Sequence, residues 1–377
     1  MEAMEIPEGF KKTEVGIIPN DWVVKPIGDI VTISVGRDLK EENYSKDQDS
    51  NYQYPVYSNT VSNEGLYGFY NISDYSGESL TVVGRGVGLG TAFKRKGKYG
   101  AIGRLLVLMP HKDIDAKYLT EFINYKINIF FESSGVPQLT GISFAKYKVA
   151  FPPIKAEQTA IATALHDADA LISSLEKLIA KKRGIKQGAM QELLKPKAGW
   201  EVKKLGEVFE VTAGGDLRKK EFSDVQDEKH PYPIYSNAHT NKGLYGYCKT
   251  FDYEGPSLTI TARGGIGFTV ARNHKFAAIG RLLVLNPYWN IDCGYVAEYI
   301  NLKIEFAYES TGVPQLTAPQ VSKYEIPLPS SEEQTRIAQI LSDMDAGIDA
   351  LKRKLEKYRL IKQGMMQNLL MGRIRLV

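Results

Sequence analysis

Ala101-Ile102-Gly103-Arg104-Leu105-Leu106-Val107-Leu108 returns letter for letter as Ala278-Ile279-Gly280-Arg281-Leu282-Leu283-Val284-Leu285. Around it, Tyr-Pro-Val-Tyr-Ser-Asn at 54–59 returns as Tyr-Pro-Ile-Tyr-Ser-Asn at 232–237. Glu-Ser-Ser-Gly-Val-Pro-Gln-Leu-Thr at 132–140 returns at 309–317 with one Ser-to-Thr change, and Ile-Lys-Gln-Gly at 185–188 returns at 361–364. The offset is 232 − 54 = 178 at the first of these and 361 − 185 = 176 at the last, so the copies differ by few insertions. Solenoid and propeller repeats have periods of about 20–50 residues. A period this long is a duplicated domain together with whatever follows it, and a duplicated domain presents one kind of surface twice.

The 377 residues suit two large units on the usual range of roughly 100–200 residues per domain. Apolar content of 43% and charged content of 24% are those of a soluble globular chain with room for a core in each half. A net charge of +4 permits a polyanionic partner without requiring one. Cys248 and Cys293 have no counterparts in the first copy, where Tyr70 and Ala116 stand. That argues against a disulfide framework or a cysteine-based zinc site and fits a reducing compartment. The acidic start Met-Glu-Ala-Met-Glu leads into no apolar run, and no stretch reaches about 18 apolar residues. The expectation is a cytoplasmic, soluble chain with no membrane partner.

Each copy opens on a tryptophan and a short strand pattern, Trp22 to Gly28 and Trp200 to Gly206, followed by a stretch dense in Tyr, Ser, Asn and Gly. Short β-runs separated by turns are the natural reading, with Leu80–Val83 and Leu105–Leu108 as buried strands. Tyr118 to Phe131 and Tyr295 to Tyr308 carry helical spacing. After the prolines at 152–153 and 327–329 the texture changes. Ile161, Leu165, Ala168, Ile172, Leu175 and Ile179 follow one another at alternating steps of four and three. So do Ile337, Leu341, Met344, Ile348, Leu351, Leu355 and Tyr358. That is a coiled-coil seam. Acids lead each helix and bases follow, as the helix dipole favours.

A helix from 157 to 194 would be about 57 Å long and could not bury its seam alone. Its partner is either its own copy, packed antiparallel about a pseudo-two-fold axis with the globular domains held at a fixed separation, or the domain it follows. The paired arrangement is the expectation, since both seams are equally long. The fold class is then α+β: two duplicated β-rich domains (1–153 and 197–330) separated by two long antiparallel coiled-coil helices (154–196 and 331–377).

Few catalytic signatures survive comparison of the copies. The chain has no G-x-x-x-x-G-K-[ST] phosphate loop and no Asn/Asp-Pro-Pro-aromatic element, and its five histidines lack metal-ligand spacing. Gly84-Arg85-Gly86-Val87-Gly88-Leu89-Gly90 looks like a dinucleotide loop, but the second copy, Ala262-Arg263-Gly264-Gly265-Ile266-Gly267, keeps the Arg-Gly and not the glycine ladder. A hairpin presenting an arginine explains both. Asp113-Ile114-Asp115-Ala116-Lys117 has no lysine in its copy and reads as a turn before a helix.

What remains is a binding surface on loops. Its candidates are Ser58, Asn59, Arg85, Arg104, Gln138, Thr140 and Lys146, with Ser236, Asn237, Arg263, Arg281, Gln315, Thr317 and Lys323 in the second copy. Arg, Asn, Gln, Ser and Thr are the types that read base edges and hold phosphates. The alternatives are structural: Tyr-Ser-Asn turns cap themselves, and Arg104 and Arg281, inside apolar strand-like runs, would be paired buried arginines.

Gly9-Phe10-Lys11-Lys12-Thr13-Glu14-Val15-Gly16-Ile17-Ile18-Pro19-Asn20-Asp21-Trp22 resembles the start of specificity subunits of type I restriction–modification systems. The Gly-Val-Pro-Gln-Leu-Thr loop, Glu157-Gln158-Thr159 with Ile161, Ile185-Lys186-Gln187-Gly188 and the copy Glu333-Gln334-Thr335 with Ile337 resemble that family's recurring segments. The resemblance covers nearly the whole chain. It implies two target-recognition domains, each reading one half of a bipartite double-stranded DNA site. The long helices act as spacer and as dock for two methyltransferase subunits. Those subunits carry S-adenosylmethionine, this chain binds no cofactor or metal, and separate restriction/motor subunits cut. The chain itself catalyses nothing. Shared loop residues imply related half-sites in an interrupted near-palindrome, and the compact length implies a short spacer. The competing readings are a stand-alone DNA methyltransferase or nuclease, and a pure protein scaffold.

Overall fold

A computed structural model describes residues 6–127, 129, 138–307 and 314–376. Phe131, Tyr308 and most of the Glu-Ser-Ser-Gly-Val-Pro stretch in both copies lie outside them. The chain forms two compact units: residues 1–176 with 354–377, and residues 177–353. Each unit therefore holds one β-rich head and a stretch of both long helices.

In the first unit, a four-stranded antiparallel sheet runs in the order Val31–Val35, Leu106–Pro110, Ser79–Val82, Ala92–Arg95. Ser79–Val82 is buried along its whole length, including the polar Ser79 and Thr81. A second sheet runs Gly100–Ala101, Tyr54–Tyr57, Leu66–Tyr70, Tyr44–Ser45, parallel only at its first pair. The sheets are joined through the repeated octapeptide. Its first residue ends the short strand at Ala101, and its last three start the strand at Leu106. Between them Ile102 to Leu105 make a tight turn, closed by Leu105 N–H to the Ile102 carbonyl at 3.3 Å. Both central residues have positive φ, 63° at Gly103 and 68° at Arg104. The second unit repeats this, with sheets Phe209–Ala213, Leu283–Pro287, Ser257–Ile260, Thr269–Arg272 and Phe222–Ser223, Leu244–Cys248, Tyr232–Tyr235, Ala277–Ala278. The Phe10–Thr13/Gly16–Pro19 hairpin has no counterpart among the described residues of the second head.

Helix α1 (Ala116–Lys126) starts on Asp115, whose carboxylate accepts from the N–H groups of Lys117 and Tyr118; α2 (Gly141–Ala145) is a short turn of helix; α3 spans Lys155–Leu193. The second half supplies α4 (Leu205–Val208), α5 (Cys293–Lys303), α6 (Ala318–Val321) and α7 (Ser331–Leu369). At 39 residues each, α3 and α7 are roughly 58 Å long.

The seams serve two duties. Ile161 and Leu165 are fully buried in the first head's core, and Ile337 and Leu341 in the second head's, so the first turns of each helix pack on the domain that precedes them. Leu175, Ile179, Ile348 and Leu355 are buried further along, while Ile172 and Leu351 are half-buried. Within each unit the two helix stretches run antiparallel. Lys362 meets Asp169 at 2.6 Å in the first unit, and Lys186 meets Asp345 at 2.7 Å in the second. These two pairs are copies of each other, since 345 − 169 and 362 − 186 both equal 176. The expected antiparallel pairing of the two long helices is therefore present, and the first turns of each helix pack in addition on the head that precedes them.

Each core is also closed by the residues that end the other copy's long helix. Leu369, Leu370 and Met371 enter the first head's core, with Gly372 packed so closely on Pro19 and Trp22 that a side chain there would clash. Leu194 enters the second head's core in the same role, fully buried. Arg375 binds Asp21 through two hydrogen bonds of 3.0 Å and pairs with the buried carboxylate of Glu157.

Candidate nucleic-acid interface

Three loops meet at one end of the sheets in each head: the Tyr-Ser-Asn turn, the Arg85 hairpin and the Gly103–Arg104 turn. Asn59 ties them. Its side-chain oxygen accepts from the N–H of Gly84 at 2.7 Å, and its amide donates to the carbonyl of Gly103. Asn237 does the same in the second head, accepting from Ala262 N–H and donating to the Gly280 carbonyl, both at 2.6 Å. The residues gripped are those immediately before Arg85 and Arg104, and before Arg263 and Arg281. Each arginine pair is thus fixed by one asparagine. The approach is tight: a Cβ on Gly84 would lie 3.0 Å from the Arg104 carbonyl oxygen and 3.3 Å from that of Leu139.

All four arginines are exposed. Arg104 and Arg281 are not the paired buried arginines that their apolar neighbours suggest. The left-handed turn breaks the strand at this point and turns the side chain out, at φ 68° and 66°. The buried arginines are Arg95 and Arg272, which the sequence reading missed. Each lies on a tyrosine face, Arg95 at 3.6 Å from the Tyr57 ring and Arg272 at 3.5 Å from Tyr235. Each donates to a buried threonine, Thr81 at 2.9 Å and Thr259 at 3.1 Å. A second nitrogen of each binds the carbonyl of a left-handed turn residue, Glu64 or Lys242. Burial lowers both guanidinium pKa values, that of Arg272 to about 10, and the tyrosine faces and hydroxyls oppose the shift. The signal was present in the repeat, because both arginines recur at an offset of 177.

The third loop residue is a glutamine. Arg85 and Gln138 form an isolated antiparallel bridge, as do Arg263 and Gln315. In the second head the guanidinium also donates to Gln315 Oε1, from Nη2 at 2.8 Å and from Nε at 3.2 Å. Of the other candidates, Ser58 and Ser236 are half-buried, and their backbone N–H groups close the turn onto Gly65 and Gly243. Thr140 caps α2 in a box with Ser143, and Thr317 caps α6 with Gln320, so both hydroxyls are committed locally. Lys146 and Lys323 are exposed at the far ends of these short helices. The exposed groups of the cluster are therefore Arg85, Arg104 and Gln138 in the first head, and in the second Arg281 together with Arg263, which holds Gln315.

No cluster of three or more metal-ligating side chains occurs among the described residues, and none of their helices is long and apolar enough to cross a membrane.

The family model for the type I restriction modification DNA specificity domain matches twice, over residues 19–185 and 197–358. A protein of Mycoplasma pneumoniae named as a type I specificity subunit is 31% identical, with the match covering 84% of this chain and 88% of that one. The specificity subunit of a type I restriction enzyme of Methanocaldococcus jannaschii is 25% identical, over 98% of this chain and 96% of its own. Among solved structures, the type I restriction–modification S subunit from M. genitalium superposes with a TM-score of 0.68 at 15% identity, covering 97% of this chain and 98% of that one. The duplicated heads and paired long helices are thus this family's fold, and the chain belongs to the family of type I restriction–modification DNA specificity subunits, which recognise DNA and leave catalysis to other subunits.

Proposed function

We propose that each head reads one half of a bipartite site on double-stranded DNA and that α3 and α7 set the distance between half-sites and dock two methyltransferase subunits. Those subunits carry S-adenosylmethionine and modify adenine, restriction/motor subunits complete the assembly, and the whole works in the cytoplasm. The observation that carries this reading is the clamp: one asparagine per head holds two exposed arginines side by side, and the arrangement recurs in both copies. Arg is the commonest bidentate partner of guanine O6 and N7, and Gln of adenine N6 and N7, so the cluster has the chemistry of major-groove readout. Because the asparagine clamp and its two arginines recur in both heads, the half-sites are related and the full site is an interrupted near-palindrome.

Mapping modified adenines in a genome carrying this system tests the site. Two unrelated half-sequences would overturn the near-palindrome. Arg85→Ala is expected to weaken one half-site and Arg263→Ala the other, each by about 1–3 kcal/mol. Unchanged affinity in both would remove the cluster from the interface. Methyl transfer by the chain alone, incubated with DNA and S-adenosylmethionine, would establish the stand-alone enzyme instead. Absence of sequence preference with the methyltransferase present would leave only a scaffold.

A further inference from the structure

The duplication loses one residue inside a single loop. Val83 N–H binds the Thr91 carbonyl just as Thr261 N–H binds that of Phe268. The offset is 261 − 83 = 178 before the loop and 268 − 91 = 177 after it. Between Arg85 and Gly90 stand Gly86, Val87, Gly88 and Leu89; between Arg263 and Gly267 stand only Gly264, Gly265 and Ile266. Leu89 and Ile266 both fold back against the head's core. Gly88 and Gly265 occupy one place, because a Cβ on either would collide with the same neighbour: Val61 Cγ1 at 2.2 Å, or its counterpart His239 at Nε2 at 2.0 Å. Val87 is the residue left over.

Val87 is 86% exposed, held between two glycines at φ 83° and 81°. An apolar side chain two residues from an exposed arginine, on a hydrogen-bonded loop, gains nothing from the fold. Val61, packed on the neighbouring Gly88, is also exposed, at 39%. The second head shows different chemistry here. Its loop tip is glycine, and His239 lies across it, hydrogen-bonded to the Gly265 carbonyl at 2.6 Å and stacked on Phe268 with ring centroids 4.8 Å apart.

The one apolar group that base pairs display in the major groove is the thymine methyl. We propose that Val87, backed by Val61, packs on the 5-methyl group of a thymine in the half-site read by the first head, and that the second head makes no such contact. This rests on the reading of the heads as DNA readers, and it makes Val87 the residue by which two otherwise matching half-sites differ.

The test uses the full chain with its methyltransferase subunits and a duplex carrying the mapped site. Each thymine is replaced in turn by deoxyuridine, which removes only the methyl group. Wild type is expected to lose about three- to fivefold in affinity at one thymine, in the half-site that Arg85→Ala also weakens. Val87→Gly is expected to bind the thymine and deoxyuridine duplexes alike, with the affinity of wild type for the deoxyuridine duplex; that equality also shows that the variant is folded. The inference is overturned by a half-site with no thymine, by no sensitive thymine, or by equal sensitivity in wild type and Val87→Gly. All three leave DNA reading intact. If wild type does not prefer its site to a scrambled duplex, the reading of the heads falls, and the contact with it.

Discussion

Asn59 accepts a hydrogen bond from the backbone of Gly84, a residue 25 positions away, and by donating to Gly103 it fixes the two loops that carry Arg85 and Arg104. Asn59→Ala leaves a backbone donor and a backbone acceptor without this partner, at a cost of about 1–3 kcal/mol. The loss is expected in thermal unfolding of the first unit, together with weakened binding of one half-site although the arginines are intact. Unchanged DNA affinity would show that the arginines are placed without the clamp.

Arg104→Gly separates conformation from contact. A non-glycine residue at φ 68° carries left-handed strain of about 1–2 kcal/mol, which glycine relieves at some cost in chain entropy. The variant is expected to melt at or above the wild-type temperature and to bind DNA more weakly by about 1–3 kcal/mol. A lower melting temperature would assign Arg104 a structural role.

Leu194 and Leu370 are fully buried in opposite heads. Leu194→Ala is expected to destabilise the second unit, and Leu370→Ala the first, by about 2–5 kcal/mol each. Limited proteolysis with fragment mapping reads which unit opens. For Leu370→Ala, cleavage confined to residues near the substitution, with the first head intact, would refute the closing of that core from the second copy's helix.

Glu298 sits beside Lys186, which also binds Asp345. Burial raises its pKa above the ordinary 4.5, although the lysine opposes the shift. An acid that holds its proton more tightly when folded loses stability as pH rises from 4.5 through its folded value, and the loss is complete above that. Glu298→Gln abolishes this limb while Lys186 keeps Asp345. The variant's melting temperature is expected to gain on wild type as pH rises above 4.5. Parallel profiles would show that Glu298 does not contribute. Glu121, its counterpart near Lys362, is raised for the same reason.

Much of the architecture was legible because it rests on local pattern. The strand at Leu106 follows from a continuous apolar run, that at Leu80 from Leu, Thr and two valines, residues that favour strands, and α3 and α7 from steps of three and four. Positions decided by tertiary geometry were not. Arg104 sits in a run that reads as strand, and only the backbone shows the turn that ejects it. Arg95 sits in an ordinary strand, and only the Tyr57 ring beneath it shows why a buried charge is tolerated. Asn59 has a residue type suited to base contact, but both ends of its amide are spent on backbone. The seam gave the length of the helices and their antiparallel pairing, but not that their first turns are buried in a head, because an apolar stripe is equally satisfied by a sheet or a helix.

The closing of each core by the other half has a consequence for biosynthesis. Leu194 leaves the ribosome before the second head that it completes. Leu370 follows Leu165, its companion in the first head's core, by 370 − 165 = 205 residues. At about 5–20 residues per second, that is about 10–40 s during which the nascent first head exposes an unfilled apolar site. The two heads share a plan, yet only the second can finish folding as it emerges, and the first is the one that a growing chain would offer to chaperones.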